Sequence, residues 1–211
     1  VKPKATKLLM RVFPTNLNSK LEGKLYYFNK KKKKLNLIKK FNFNSSKDLF
    51  ELKLQKQNKE IFGFMSLNQK NIPSRINASY IYSNSNNHKL TTDIALGFKS
   101  IEYPEKKTHW GSMFFGKKFQ SLIMIRKIPY SNDYSDSNGE LILFNNQKKE
   151  KIKISLKNYD YKIVDLLKVL GVPKNKKIDS ASWILKLSGG VGVEVFWVTK
   201  NKNFICGDHS F

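Results

Sequence analysis

GKLYYFNKKKKKLNLIKK (Gly23–Lys40) and GELILFNNQKKEKIKISLK (Gly139–Lys157) lie in opposite halves of the chain, and their common reading decides the fold. Each runs glycine, charged residue, three apolar residues, Phe-Asn, a lysine-rich turn and a second segment of alternating polarity. Leu35 and Leu37 followed by Phe41 and Phe43 in the first stretch, and Ile152, Ile154 and Leu156 in the second, repeat with the period of two that a half-buried strand requires. Two such strands about a short polar turn predict a β-hairpin in each half.

The correspondence extends outward in both directions. Upstream, LLMRVFP (Leu8–Pro14) matches IMIRKIP (Ile123–Pro129): apolar residues, an arginine, and a proline that ends the strand. Downstream, KDLFELKLQ (Lys47–Gln55) faces YKIVDLLKVLG (Tyr161–Gly171), EIFGFMSLN (Glu60–Asn68) faces ASWILKLSG (Ala181–Gly189), and INASYIYSNSNN (Ile76–Asn87) faces VGVEVFWVTKNK (Val191–Lys202). Each half closes on a phenylalanine, Phe98 or Phe211, and the element order holds at an offset of about 115 residues. Low-complexity Lys/Asn sequence alone would not keep the glycine, proline and hairpin positions in order.

Short alternating strands between Gly/Asn/Asp/Ser turns predict an all-β protein: two tandem Ig-like antiparallel β-sandwich modules from an internal duplication. The first repeat covers residues 1–98 and the second 122–211. Only Lys47–Lys53 and Asp165–Leu170 have helical spacing, over barely two turns, so a single helical turn is expected there at most. Lys30–Lys34 reads as the solvated tip of the first hairpin, because the second copy has Gln147, Lys148, Lys149 and Glu150 in its place. GGVG (Gly189–Gly192) resembles a phosphate loop but lies between two strands, and a tight turn explains it.

Residues 99–121 form a connector without counterpart. It contains His109, Trp110, Gly111 and the apolar run Met113–Phe115, which a plain flexible linker would lack; an additional strand or buried strap is expected.

Composition narrows the function. A chain of 211 residues with 40% hydrophobic and 13% aromatic residues has material for a packed core. No stretch approaches the roughly 20 apolar residues that span a bilayer. The first residue is Val1, which reads as a processed or trimmed product. A single cysteine, Cys206, excludes an internal disulfide and a cysteine-based zinc site within one chain. The formal charge of +24 suits an anionic partner. Yet only Arg11, Arg75 and Arg126 are arginines, and Lys, Asn and Ile share AT-rich codons, so codon bias accounts for the lysines better than selection for nucleic acid, where the arginine fork is favoured.

The second copy resembles small bacterial β-sandwich modules with an ELxLFNxxxxxxxIxI hairpin, a DLxxL crossover and a final VxVxxxxxxxxxxGDxxF strand, carried by Gly139–Ile154, Val164–Leu170 and Val191–Phe211. It is similar to the Ig-like sandwich of the sensory-rhodopsin-transducer type and to modules of bacterial cell-surface proteins. The first copy departs, with Thr91, Thr92 and Asp93 in place of a GDH sequence. The resemblance implies a non-catalytic ligand or protein binder and assigns no site residue.

Chemistry-bearing residues are few. The histidines are His88, His109 and His209, and no motif implies a cofactor, a metal or a catalytic residue. Asp208 and His209 are neighbours whose side chains diverge on an extended strand. The asymmetry between the copies, at the connector and the C-terminus, selects His109, Trp110, Asp208 and His209 as candidate binding residues. Tyr130 and Tyr134 join them as aromatics bordered by polar side chains. The leading expectation is a non-enzymatic binding or scaffolding protein for a protein or glycan partner. The alternatives are a lysine-rich nucleic-acid-binding module and a small metal-dependent enzyme centred on His109 and His209, with Cys206 and Asp208 nearby.

Overall fold

In a computed structural model, residues 4–13, 20–29, 31–32, 34–44, 50–53, 61–66, 75–83, 91–96, 107–127, 135–173, 177–189 and 192–210 are described. The first strands are β1 (Lys4–Phe13), β2 (Lys20–Asn29), β3 (Lys34–Asn44), β4 (Phe50–Lys53), β5 (Ile61–Ser66), β6 (Arg75–Ser83) and β7 (Thr91–Leu96). They are followed by β8 (Thr108–Phe115), β9 (Gln120–Lys127), β10 (Ser137–Phe144), β11 (Lys149–Leu156) and β12 (Tyr161–Asp165). One short helix, α1 (Leu166–Leu170), precedes β13 (Asp179–Gly189), β14 (Val193–Lys200) and β15 (Ile205–His209). The protein is all-β. The chain divides into two compact units, one made of residues 2–82 with 95–98 and the other of residues 99–211 with 83–94 and Val1.

Among the described residues the strands form four sheets, ordered β4-β1-β6-β7, β3-β2-β5, β12-β9-β14-β15 and β11-β10-β13-β8. Strands β1 to β7 therefore follow the same order as β9 to β15, and β8 is the one strand outside that correspondence among the described residues. The hairpins share their turn chemistry. The Asn29 side-chain oxygen accepts the backbone N–H groups of Lys31 and Lys32 at 3.1 and 3.2 Å, and that of Asn145 accepts those of Gln147 and Lys148 at 3.0 and 2.8 Å. An asparagine that satisfies two turn amides fixes where the strand ends. Lys31 and Lys32 stand exposed beyond it, at the tip of the hairpin.

One core joins two sheets of the second unit. Met113, Phe115, Leu141, Leu143, Trp183 and Leu185 come from one sheet and pack with Ile123, Ile125, Val164, Val193 and Val195 from the other. Burial of large aliphatic and aromatic side chains on facing sheets is what holds such a sandwich, at roughly 1.5–3 kcal/mol for each fully buried side chain. Gly111 lies opposite Trp183, and a Cβ there would come within 2.7 Å of the indole ring, so the missing side chain lets the ring lie over β8. Strand β9 is buried on both faces from Ser121 to Lys127, which accounts for its nearly continuous apolar run.

Three sequence readings are refined here. The Asp165–Leu170 segment does turn helical: Asp165 caps α1 by accepting the Leu167 N–H at 3.1 Å, and Gly171, at φ 81°, ends it by donating to the Leu167 carbonyl at 3.0 Å. Lys47–Lys53, with similar spacing, instead contributes β4, because Phe50–Lys53 pair with β1 and the ladder overrides local preference. With Gly23 laid over Gly139, the ladders set Met65 (opposite Gly23) over Leu187 (opposite Gly139), one residue away from the sequence alignment, which had set Met65 over Lys186. A slip of one residue exchanges the faces of a strand.

Candidate functional site

Strand β8 sorts the candidates by face. Its residues alternate exposed and buried from Thr108 to Phe115, so His109 (3% exposed) points into the core while Trp110 (53%) and Phe114 (58%) point outward. Consecutive strand residues cannot line one site without a bend. His109 and Trp110 are therefore not one constellation.

His109 meets the C-terminal segment, though not at His209. Its Nδ1 lies 2.7 Å from Ser210 Oγ, a hydrogen bond linking β8, the edge of one sheet, to the residue just past β15, the edge of the other. His209 instead turns to its neighbour: the Asp208 carboxylate accepts both the backbone N–H and Nδ1 of His209, at 2.7 and 2.8 Å. Thus His109 and His209 are divided between two local contacts. Among the described residues no group of three His, Cys, Asp or Glu is placed to hold a metal ion.

Cys206 lies opposite Thr199 on β14 and is half-buried. Burial pushes its thiol above the ordinary range, with a backbone hydrogen bond at Thr199 opposing in part. A raised value leaves less thiolate at neutral pH, the opposite of what an activated nucleophile needs. Tyr130 and Tyr134 lie outside the described residues.

Two buried cations do structural work close by. Lys127 is fully buried, and its Nζ donates to the Ser135 carbonyl and, at 2.8 Å, to Ser137 Oγ. Arg126 Nε holds Glu194 Oε2 at 2.7 Å, and its guanidinium carbon lies 5.3 Å from the centre of the Phe196 ring. Neither arrangement leaves a cation presented to solvent.

The outward face of β8 continues across its sheet. Trp110 lies opposite Ile184 on β13, which lies opposite Ile142 on β10, so three large apolar side chains form one row. The next row places Phe144, Ser182 and Ser112 in line, with the two serine hydroxyls 3.0 Å apart. Ile142, Ile184 and Phe144 are all partly exposed, and Phe114 extends the face beyond Ser112. Strand alternation from Thr108 to Phe115 was the signal in the sequence for separating Trp110 from His109. The row itself depends on the cross-strand register, which no single segment encodes.

No family model matches the chain, and no curated protein or solved structure is detectably similar to it.

Proposed function

We propose that the protein is a non-enzymatic binding module that recognises a macromolecular partner, protein or glycan, through the outer face of the β11-β10-β13-β8 sheet. The observation that carries this reading is the exposure of Trp110 in one row with Ile184 and Ile142. Scattered exposed apolar residues are ordinary, but a Trp, two Phe and two Ile gathered on one sheet face match the anchor cluster of a binding interface. Hydroxyls at Ser112 and Ser182 supply polar contacts beside the aromatics. His109, Asp208 and His209 serve the sandwich edge in this reading.

An internal duplication of an Ig-like module accompanies it as origin, supported by the matching strand orders and by the paired turns at Asn29 and Asn145. On that view β8 is what distinguishes the second copy, and it is β8 that carries Trp110 and Phe114. The resemblance to bacterial sandwich modules that bind without catalysis points the same way.

The test is a Trp110→Ala/Phe114→Ala double variant, compared with the native chain against panels of immobilised glycans and proteins. Both side chains are exposed, so the variant keeps its melting temperature, and binding is expected to fall about a hundredfold or more. Undiminished binding by the folded variant contradicts the reading.

A further inference from the structure

The face that carries Trp110 is polarised. On its far strand, β11, Lys149, Lys151 and Lys153 all stand exposed on one side, at alternate positions about 6.7 Å apart. Their register fixes their neighbours: Lys149 lies opposite Phe144, Lys151 opposite Ile142 and Lys153 opposite Glu140. Lys151 also reaches Glu140 at 3.2 Å. Lys186 on β13 adds a further exposed cation. The apolar row thus runs from a tryptophan edge to a lysine edge.

Resting on the reading of this face as a docking surface, we infer that its occupant is an acidic amphipathic helix of a partner protein. The outer strands β8 and β11 are three spacings apart, about 14 Å. A helix is about 10 Å across with its side chains. Laid along the strands, it covers Ile142 and Ile184 with its apolar stripe, sets one flank against Trp110 and brings the other over the lysine file. Carboxylates on that flank match the charge they meet. A second copy of this chain would bring its own +24 charge. A neutral glycan would gain nothing from the lysines. Phosphates of a single strand that followed the lysine file would leave Trp110 about 14 Å away, too far for the next base to stack.

The experiment uses the full chain and a synthetic 18-residue helix with leucines on one face and glutamates elsewhere. Its comparators are the same peptide with glutamine for glutamate, a version with the leucines scattered around the helix, and an oligothymidine of equal charge. Affinity is measured at physiological salt for the native chain, for Lys149→Glu/Lys151→Glu/Lys153→Glu, for a control of equal net charge, Lys31→Glu/Lys32→Glu/Lys34→Glu, and for Trp110→Ala. All six lysines are exposed, so both triple variants fold. The expected result is that the acidic amphipathic peptide binds best, weakening at least about tenfold in the β11 variant and in Trp110→Ala but by less than about threefold in the hairpin control. Equal losses in the two triple variants would reduce the effect to overall charge and overturn the inference. So would equal binding of the glutamine peptide, or tighter, β11-dependent binding of the oligothymidine, which would make the occupant a nucleic acid. Those results leave the face as a docking surface provided that Trp110→Ala still weakens binding. If Trp110→Ala changes nothing for any probe, the docking surface itself fails.

Discussion

Asn29 and Asn145 make the same pair of hydrogen bonds in two different hairpins, each accepting the backbone N–H groups two and three residues ahead. The shared geometry attributes the turns to the asparagines rather than to the lysines around them. Asn29→Ala and Asn145→Ala are each expected to cost about 0.5–1.5 kcal/mol in urea unfolding. Asn145→Ala should be the more damaging, since that side chain also donates to Asp179 at 3.1 Å. Lys31→Ser and Lys32→Ser, at exposed turn positions, should stay within about 0.5 kcal/mol of the parent.

The bond between His109 and Ser210 has a structural role in this account. In a double-mutant cycle, His109→Ala and Ser210→Ala should show a coupling energy of about 0.5–1.5 kcal/mol, because they share one partly buried hydrogen bond. His109→Ala should cost more than Ser210→Ala, since it also empties a buried ring site. A coupling near zero would remove the proposed closure of the sandwich edge.

How far the fold could be read from the sequence depends on how local each determinant is. The hairpins at Gly23–Lys40 and Gly139–Lys157 were legible because period-two alternation and Asn turns act over a few residues. So was the helical turn after Asp165, whose capping carboxylate is two residues from the N–H it accepts. What the sequence left hidden depends on distant partners. His109 and Ser210 are 101 residues apart in the chain. The Trp110, Ile184 and Ile142 row exists only once three strands are set in register. His109 and Trp110, both singled out by the asymmetry between the copies, fall on opposite faces of β8, as alternation along an extended strand requires.

The pairing of Arg126 with Glu194 is largely buried, and such pairs are more costly to break than to replace. Glu194→Ala, which takes the carboxylate away from a buried guanidinium, is expected to destabilise by about 3–5 kcal/mol. Arg126→Met/Glu194→Leu should recover most of that loss. Thermal or chemical unfolding of the three chains distinguishes these outcomes; equal destabilisation by the single and double variants would refute them.

Lys200 supplies a prediction in pH. Its side chain is buried, and loss of hydration holds its pKa below the ordinary lysine range. Between the folded and unfolded pKa values the unfolded chain binds more protons, so stability rises with pH through that window; below the folded value the full penalty is present. Lys200→Met should therefore be more stable than the parent at neutral pH, with the gain shrinking as pH climbs to the ordinary lysine range. A gain independent of pH would point to packing instead of charge.

The proposed docking of a partner on the outer face of the sheet that ends in β8 can be captured covalently. Its most direct test is photo-cross-linking from a benzophenone amino acid at Trp110, with Leu37, an exposed apolar residue of the other unit, as the comparison position. Discrete adducts are expected from position 110 and none of the same mass from position 37. Ile184→Glu, which puts a charge in the middle of the row, is expected to abolish them while leaving the fold intact. Adducts that persist unchanged with Ile184→Glu, or that form equally from position 37, would contradict the proposed docking.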